Sequence, residues 1–275
     1  MTTAERRADR KLVALDIDGT VIHEDETLSL AVIDAVQRVR DLGHEVTLAT
    51  GRSWETTHPI LEKLEIEPRY VVCANGAMTM RRAEPGEADD HGYVREYIET
   101  FDPEPVLARI RSFLPEGRFM VEDAFGYRLY TEGMQDWNLT NAHQVEFAEL
   151  FGVEATRVVV VSPDHELDDF LALVDEMGLH QVSYAIGWTA WLDIAPEGVN
   201  KATALERVRS WLGIELDRVV AVGDGRNDIE MFTWARAAGR PVAMGQAPAE
   251  VKDAAGEATG DVEHDGLVTV LDSID

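Results

Sequence analysis

Asp16 and Asp18 stand one residue apart where the apolar run "LVALDIDGTV" (Leu12 to Val21) breaks off. Two carboxylates that close repel each other, so the end of that strand must be answered by positive charge. Three other apolar runs end in small, polar or acidic residues: Thr50-Gly51-Arg52-Ser53, Asn75-Gly76, and Gly223-Asp224-Gly225-Arg226-Asn227-Asp228. Gly, Asn and Asp are ordinary turn residues, and any one of these loops alone would be unremarked. Four together, each following a strand of an open α/β sheet, mark the edge where such sheets bind ligands.

Asp16, Asp18, Asp224 and Asp228 bring up to four carboxylates to that edge, which is unfavourable without a cation. Mg²⁺ suits them, being a hard ion that takes one or two carboxylates, keeps waters and completes its shell with phosphate oxygens. An EF-hand calcium loop is excluded because no acidic ladder runs through twelve consecutive residues, and zinc lacks nearby His or Cys. A phosphate beside the metal needs further donors. Thr50 offers a hydroxyl, Gly51 an unobstructed backbone N–H, and Lys201 an ammonium at a helix N-terminus. A lysine is usually a solvated surface residue, but Lys201 is one of four in the chain, with Lys11, Lys63 and Lys252. No Walker-type phosphate loop is present.

The elements that must hold these residues can be read from periodicity. "KLVALD" is expected as a buried strand, followed by a helix carrying Val32, Ile33, Val36, Val39 and Leu42 and stopped by Gly43. "HEVTLAT" is a second strand, "THPILEKLEI" a helix with Pro59 near its start, and "YVVCAN" a third strand. After the polar break Glu84–Gly92 the texture changes to short strands and helices, among them "RFMVED", "GYRLYTE", "TRVVVVS", "QVSYAI" and "WTAWLDIA". From Asn200 the parallel texture returns, with the helix "NKATALERVRSWLG", the strands "RVVAVGDG" and "RPVAMG", and a closing helix over "GLVTVLDSI". The expected fold is α/β: a Rossmann-like parallel-sheet core, residues 1–82 plus 196–275, with an α+β cap inserted at 83–195, mostly antiparallel.

Composition narrows the partners. The chain has 275 residues and a formal net charge of −27, which opposes binding to nucleic acid or to anionic membranes. The single cysteine, Cys73, lies in an apolar run and excludes an internal disulfide, so a reducing cytoplasm is the expected compartment. Arg6-Arg7 are followed by charged residues and then directly by the first strand, so no export signal is expected there, and no window is long and apolar enough to span a membrane.

The motifs "DIDGT", "LATGRS", "GVNKATAL" and "VGDGRNDIEMF" resemble, in order and spacing, the four motifs of the haloacid dehalogenase superfamily. "ANGAM" and "AMGQAPAEVKDAA" are similar to its Cof-type branch, subfamily IIB, whose α/β cap lies between the second and third motifs and selects substrate. The resemblance implies an Mg²⁺-dependent phosphomonoester hydrolase acting on a small phosphorylated metabolite such as a sugar phosphate. It makes Asp16 the nucleophile that forms an aspartyl-phosphate. Asp18 becomes the general acid and base, its pKa raised in part by crowding from Asp16. Mg²⁺ is held by the Asp16 carboxylate, the Asp18 backbone carbonyl and Asp224, with Asp228 supporting, while Thr50, Gly51, Lys201, Asn227 and the Ile17 N–H grip the phosphate. Phosphoglycolate phosphatase activity and phosphomutase-like transfer are the alternatives among enzymes. A non-catalytic phosphosugar-binding protein could dispense with Asp16 or Asp18, yet both are present. In the cap, Trp137, His143, Tyr184, Trp188 and Trp191 could line a substrate surface, but aromatic residues are ordinary in a small α+β domain and none is assigned.

Overall fold

The computed structural model describes residues 9–275 except 24, 88–89, 134–140, 180–181 and 187–189. Contacts divide the chain into two compact units, one made of residues 1–96 and 201–275 and the other of residues 97–200. The first unit runs β1 (Leu12–Leu15), α1 (Leu30–Asp41), β2 (Glu45–Leu48), α2 (Trp54–Leu64), β3 (Tyr70–Cys73), β4 (Met78–Arg82) and the first four residues of β5 (Tyr93–Ile98). The second contributes α3 (Glu104–Phe113), β6 (Arg118–Asp123), β7 (Arg128–Tyr130), β8 (Ala142–Gln144), β9 (Ala155–Val161), α4 (Leu167–Met177), β10 (Val182–Ile186) and β11 (Trp191–Pro196). The chain then returns to the first unit with α5 (Lys201–Leu212), β12 (Val219–Gly223), α6 (Ile229–Ala235), β13 (Arg240–Ala243), α7 (Ala249–Ala255) and α8 (Gly266–Asp272).

In the first unit the strands lie in the order β13-β12-β1-β2, all parallel, with Leu12 opposite both Val219 and Glu45. A parallel bridge between Ala49 and Val72 continues this order to β3. Every residue of β1 and β12 is buried, as a sheet covered on both faces requires. The pleat sorts them. Val13, Leu15, Val220 and Val222 face one apolar cluster with Val32, Val36 and Val39 of α1 and Leu267, Val270 and Leu271 of α8. Leu12, Ala14, Val219 and Ala221 face another with Ala204, Leu205 and Val208 of α5 and Met231 and Phe232 of α6.

One element departs from the sequence reading. Helix α2 begins at Trp54, so Pro59 sits inside it rather than near its start. Trp54 is 1% exposed and packs on Tyr93, and this burial extends the helix N-terminally beyond what its own periodicity indicates. The hairpin β4–β5 continues from β3 in one three-stranded sheet, and the first unit's opening segment runs to residue 96 within β5.

In the second unit the strand order is β10-β11-β9-β6-β7-β8, antiparallel except for the β7–β8 pair. One face of the sheet turns Phe119, Val121, Val158, Val160, Leu192 and Ile194 onto the apolar sides of α3 and α4. Trp191 packs on Met120, Val159 and Val161, and the His143 ring lies 5.4 Å from that of Tyr127. Trp137 and Trp188 fall outside the described residues, as does the side chain of Tyr184.

Phe232 is fully buried between α6 and the parallel sheet. Phe232→Ala is expected to cost about 3–5 kcal/mol through lost transfer energy and a residual cavity, read from the urea midpoint of the first unit's unfolding. A loss below about 1 kcal/mol would mean that this layer is not close-packed.

Candidate active site

The site is built at the carboxyl ends of β1 and β12, neighbours in the sheet. Asp16 is the residue after β1, and its N–H donates to the Val222 carbonyl at 2.9 Å, fixing the strand end. The chain then turns tightly: the N–H groups of Thr20, Val21 and Ile22 all converge on the Ile17 carbonyl, while the Ile17 side chain is buried in the core. Gly19 makes this turn possible with φ 71°, and a Cβ at that position would collide with the Asp224 carboxylate.

Lys201 begins α5 and is 0% exposed. Its Nζ donates to Asp16 Oδ1 at 2.8 Å and to Asp228 Oδ1 at 2.7 Å. The other oxygen of Asp228 accepts the N–H groups of Asp224 and Gly225, both at 3.0 Å. Asp228 thereby ties the loop after β12 to the Lys201 ammonium. Asp16, Asp224 and Asp228, all buried, each bring a carboxylate oxygen within 4.8 Å of the others. With all three ionised, the one ammonium leaves two negative charges uncompensated, which is the charge of one divalent ion. The donors are all oxygen, as a hard cation prefers, so the residues present fit Mg²⁺.

The electrostatics show the strain of this cluster without a metal. Burial, then Asp228, pushes the Asp224 carboxyl up to about 7, partly offset by a hydrogen bond from Gln246. Asp16 is also raised, chiefly by burial and by Asp228, with Lys201 pulling the other way. Burial disfavours the Lys201 ammonium as well, but Asp16 and Asp228 outweigh it and its pKa lies above the ordinary lysine value.

The phosphate-binding candidates lie on adjoining loops. Thr50 is fully buried; its hydroxyl accepts the Arg52 N–H at 3.1 Å and retains its own proton to donate. Gly51 lies against the Asn75 side chain, which a Cβ would approach to 3.1 Å. Asn227 donates through Nδ2 to Asn75 Oδ1 at 3.1 Å.

Asp18 stands apart from the buried triad. Its side chain is 57% exposed and held by Arg52, with Nε 2.9 Å from Oδ2 and Nη2 2.5 Å from Oδ1, so a guanidinium rather than Asp16 is its immediate neighbour. Arg52 also reaches Glu26 at 3.1 Å. Sequence reasoning left Arg52 without a role, although it is a cation placed directly in a strand-end motif. Gln246 was missed too: its Nε2 donates to the Gly19 carbonyl at 2.5 Å and to Asp224 Oδ2 at 3.1 Å, and its Oε1 accepts the Val262 N–H at 3.1 Å. Its position just after β13, at the same edge and inside the motif "AMGQAPAEVKDAA", is the signal that could have pointed to it.

The family model for haloacid dehalogenase-like hydrolases matches residues 13–271. The chain belongs to the haloacid dehalogenase superfamily. Among its relatives in that superfamily is a 5-amino-6-(5-phospho-D-ribitylamino)uracil phosphatase of Bacillus subtilis, 26% identical over 94% of this chain and 96% of the relative. A pyridoxal phosphate phosphatase of Escherichia coli is 28% identical over 95% of this chain and 97% of the relative. The fold is that of a haloacid dehalogenase-like hydrolase from B. subtilis, with a TM-score of 0.77 at 22% identity over 96% of this chain and all of that one. Within the superfamily the chain is a phosphatase. No helix among the described residues is long and apolar enough to cross a membrane.

In the absence of divalent ions Asp224 holds its proton to about pH 7 when folded, but only to about 3.9 when unfolded. The raised folded value means that its contribution to stability is full below the unfolded pKa and is lost as pH rises through about 7. In EDTA, the stability of the native chain relative to Asp224→Asn is expected to fall between pH 5 and pH 8, by at most about 1.4 kcal/mol per pH unit, and Mg²⁺ is expected to restore it. Thermal melts of both proteins across that range check this; a difference independent of pH contradicts it.

Proposed function

We propose that the protein is an Mg²⁺-dependent phosphomonoester hydrolase that acts through an aspartyl-phosphate on a small phosphorylated metabolite, with sugar phosphates the first class to try. The observation that carries this is the buried Lys201 ammonium shared between Asp16 and Asp228, with Asp224 beside them. A buried cation and three carboxylates form a mixed-charge floor that suits a metal and a phosphate together, and packing alone would not call for it.

The Asp16 oxygen not bonded to Lys201 attacks phosphorus, and the bond from phosphorus to the ester oxygen breaks. Asp18 gives its proton to the departing alkoxide, then takes one from the water that attacks the aspartyl-phosphate, releasing inorganic phosphate and restoring Asp16. Arg52 donates to both Asp18 oxygens, so Asp18 has to leave one of these contacts and take up a proton from solvent before it serves as the acid. Asp16, the Asp18 carbonyl and Asp224 would hold Mg²⁺, with Asp228 in support. When bound, the ion neutralises the carboxylates and the phosphate oxygens so that like charges can meet. The Thr50 hydroxyl, the Gly51 and Ile17 N–H groups, the Asn227 amide and Lys201 grip the remaining oxygens, and most of the rate comes from this positioning.

The two relatives named above are called phosphatases of a ribitylaminouracil phosphate and of pyridoxal phosphate, both small phosphorylated metabolites, which supports the substrate class. Selection among such esters is assigned to the inserted unit, as the family resemblance implies.

Phosphate release from a panel of small phosphomonoesters is expected only with Mg²⁺ and is expected to fall more than about a thousandfold in Asp16→Asn. Metal-independent release would contradict the Mg²⁺ dependence, and release that survives the substitution would show that Asp16 is not the nucleophile.

A further inference from the structure

Three consecutive residues after β3 have left-handed backbones: Ala74 at φ 49°, Asn75 at φ 49° and Gly76 at φ 103°. Glycine accepts this at no steric cost and asparagine tolerates it, but for alanine it is strained. Strain of that kind persists where surrounding contacts over-determine it. Here the Ala74 N–H donates to the Arg52 carbonyl at 2.8 Å and the Asn75 N–H to the Thr50 carbonyl at 3.0 Å, so the kink is laced along the whole Thr50–Arg52 loop. From the other side, Arg207 of α5 reaches the Gly76 carbonyl at 3.4 Å.

The conformation leaves Asn75 only 8% exposed, with its side chain against two separate parts of the site. Its amide lies on Gly51, close enough that a Cβ there would come within 3.1 Å of both Nδ2 and Oδ1. Its Oδ1 accepts from Nδ2 of Asn227, on the loop after β12. An amide nitrogen carries two hydrogens; Asn75 takes one and leaves the other to be directed at a ligand. Three of the residues assigned to the phosphate thus meet Asn75: Thr50 through its carbonyl, Gly51 at the place a Cβ would take, and Asn227 through its amide.

We infer that Asn75 is the positioning residue of the phosphate cradle, acting through Asn227 and the Thr50–Gly51 loop rather than on the reacting atoms. This inference rests on the phosphatase proposal, since it presumes that those groups bind phosphate. Without Asn75, Asn227 is free to rotate away and the order it brings to the cradle must be supplied at the moment of binding.

The test is competitive inhibition by inorganic phosphate, with Mg²⁺ saturating, in the native chain, Asn75→Gly, Asn227→Ala and the double variant. Glycine accepts the left-handed backbone, so Asn75→Gly isolates the side chain. It is expected to weaken phosphate inhibition about tenfold and to leave the Mg²⁺ dissociation constant, measured by calorimetry, unchanged. In the Asn227→Ala background the same substitution is expected to weaken inhibition by clearly less, because the part of its effect that runs through Asn227 is already lost and only the part through the Thr50–Gly51 loop remains. Equal effects in both backgrounds, or unchanged inhibition in Asn75→Gly, overturn the inference. Should Asn75→Gly not fold, Asn75→Asp keeps the acceptor but sets a negative charge beside the cradle; unchanged phosphate inhibition in that variant overturns it equally. Failure of the phosphatase proposal looks different: the native chain itself would then release no phosphate from esters and bind none.

Discussion

The contact on which the rest of the site depends is the buried ammonium of Lys201 between Asp16 and Asp228. An ion of either sign costs several kcal/mol to bury alone, and burial is repaid only by close opposite charge and by hydrogen bonds to the remaining atoms. Each partner meets that condition. Lys201 has two carboxylates, Asp228 has the ammonium and two backbone N–H groups, and Asp16 has the ammonium and a backbone tie to β12. Among the described residues no cation is bonded to Asp224, whose carboxylate accepts from the amide of Gln246. The raised pKa of Asp224 follows from burial and from the neighbouring Asp228, and on the proposed reading Mg²⁺ supplies the missing positive charge.

The fold supplies the geometry at little cost. Because β1 and β12 are adjacent parallel strands, their carboxyl ends open at the same level, and two acids far apart in sequence meet without either leaving its strand end. The α5 helix delivers Lys201 from its first residue, so the flexible four-carbon stem is buried among packed neighbours and loses its freedom on folding, not on substrate binding. Gly19 and Gly223 are small for the same reason: side chains there would occupy the space of the Asp224 and Asp228 carboxylates.

Much of this was legible in the sequence because it is local. A strand end, a turn glycine and an acid in the next position form a pattern within five residues, and the order of four such ends along the chain places them on one edge. Lys201 stood out against the scarcity of lysine. What was not legible depends on side chains reaching between loops. Arg52 meets Asp18 across 34 residues, Asn227 meets Asn75 across 152, and Gln246 meets Gly19 across 227, distances at which periodicity and propensity carry no information. The start of α2 was hidden for a related reason, since Trp54 is held by Tyr93, a residue nearly forty positions on.

The most direct test of the account is a calorimetric titration of Mg²⁺ into the metal-free protein at pH 7, repeated in buffers of different ionisation enthalpy. One ion is expected to bind per chain with release of a fraction of a proton, because Asp224 is partly protonated before the metal arrives, and both signals are expected to vanish in Asp224→Asn. Binding that persists unchanged in Asp224→Asn, or no binding at all, would contradict it.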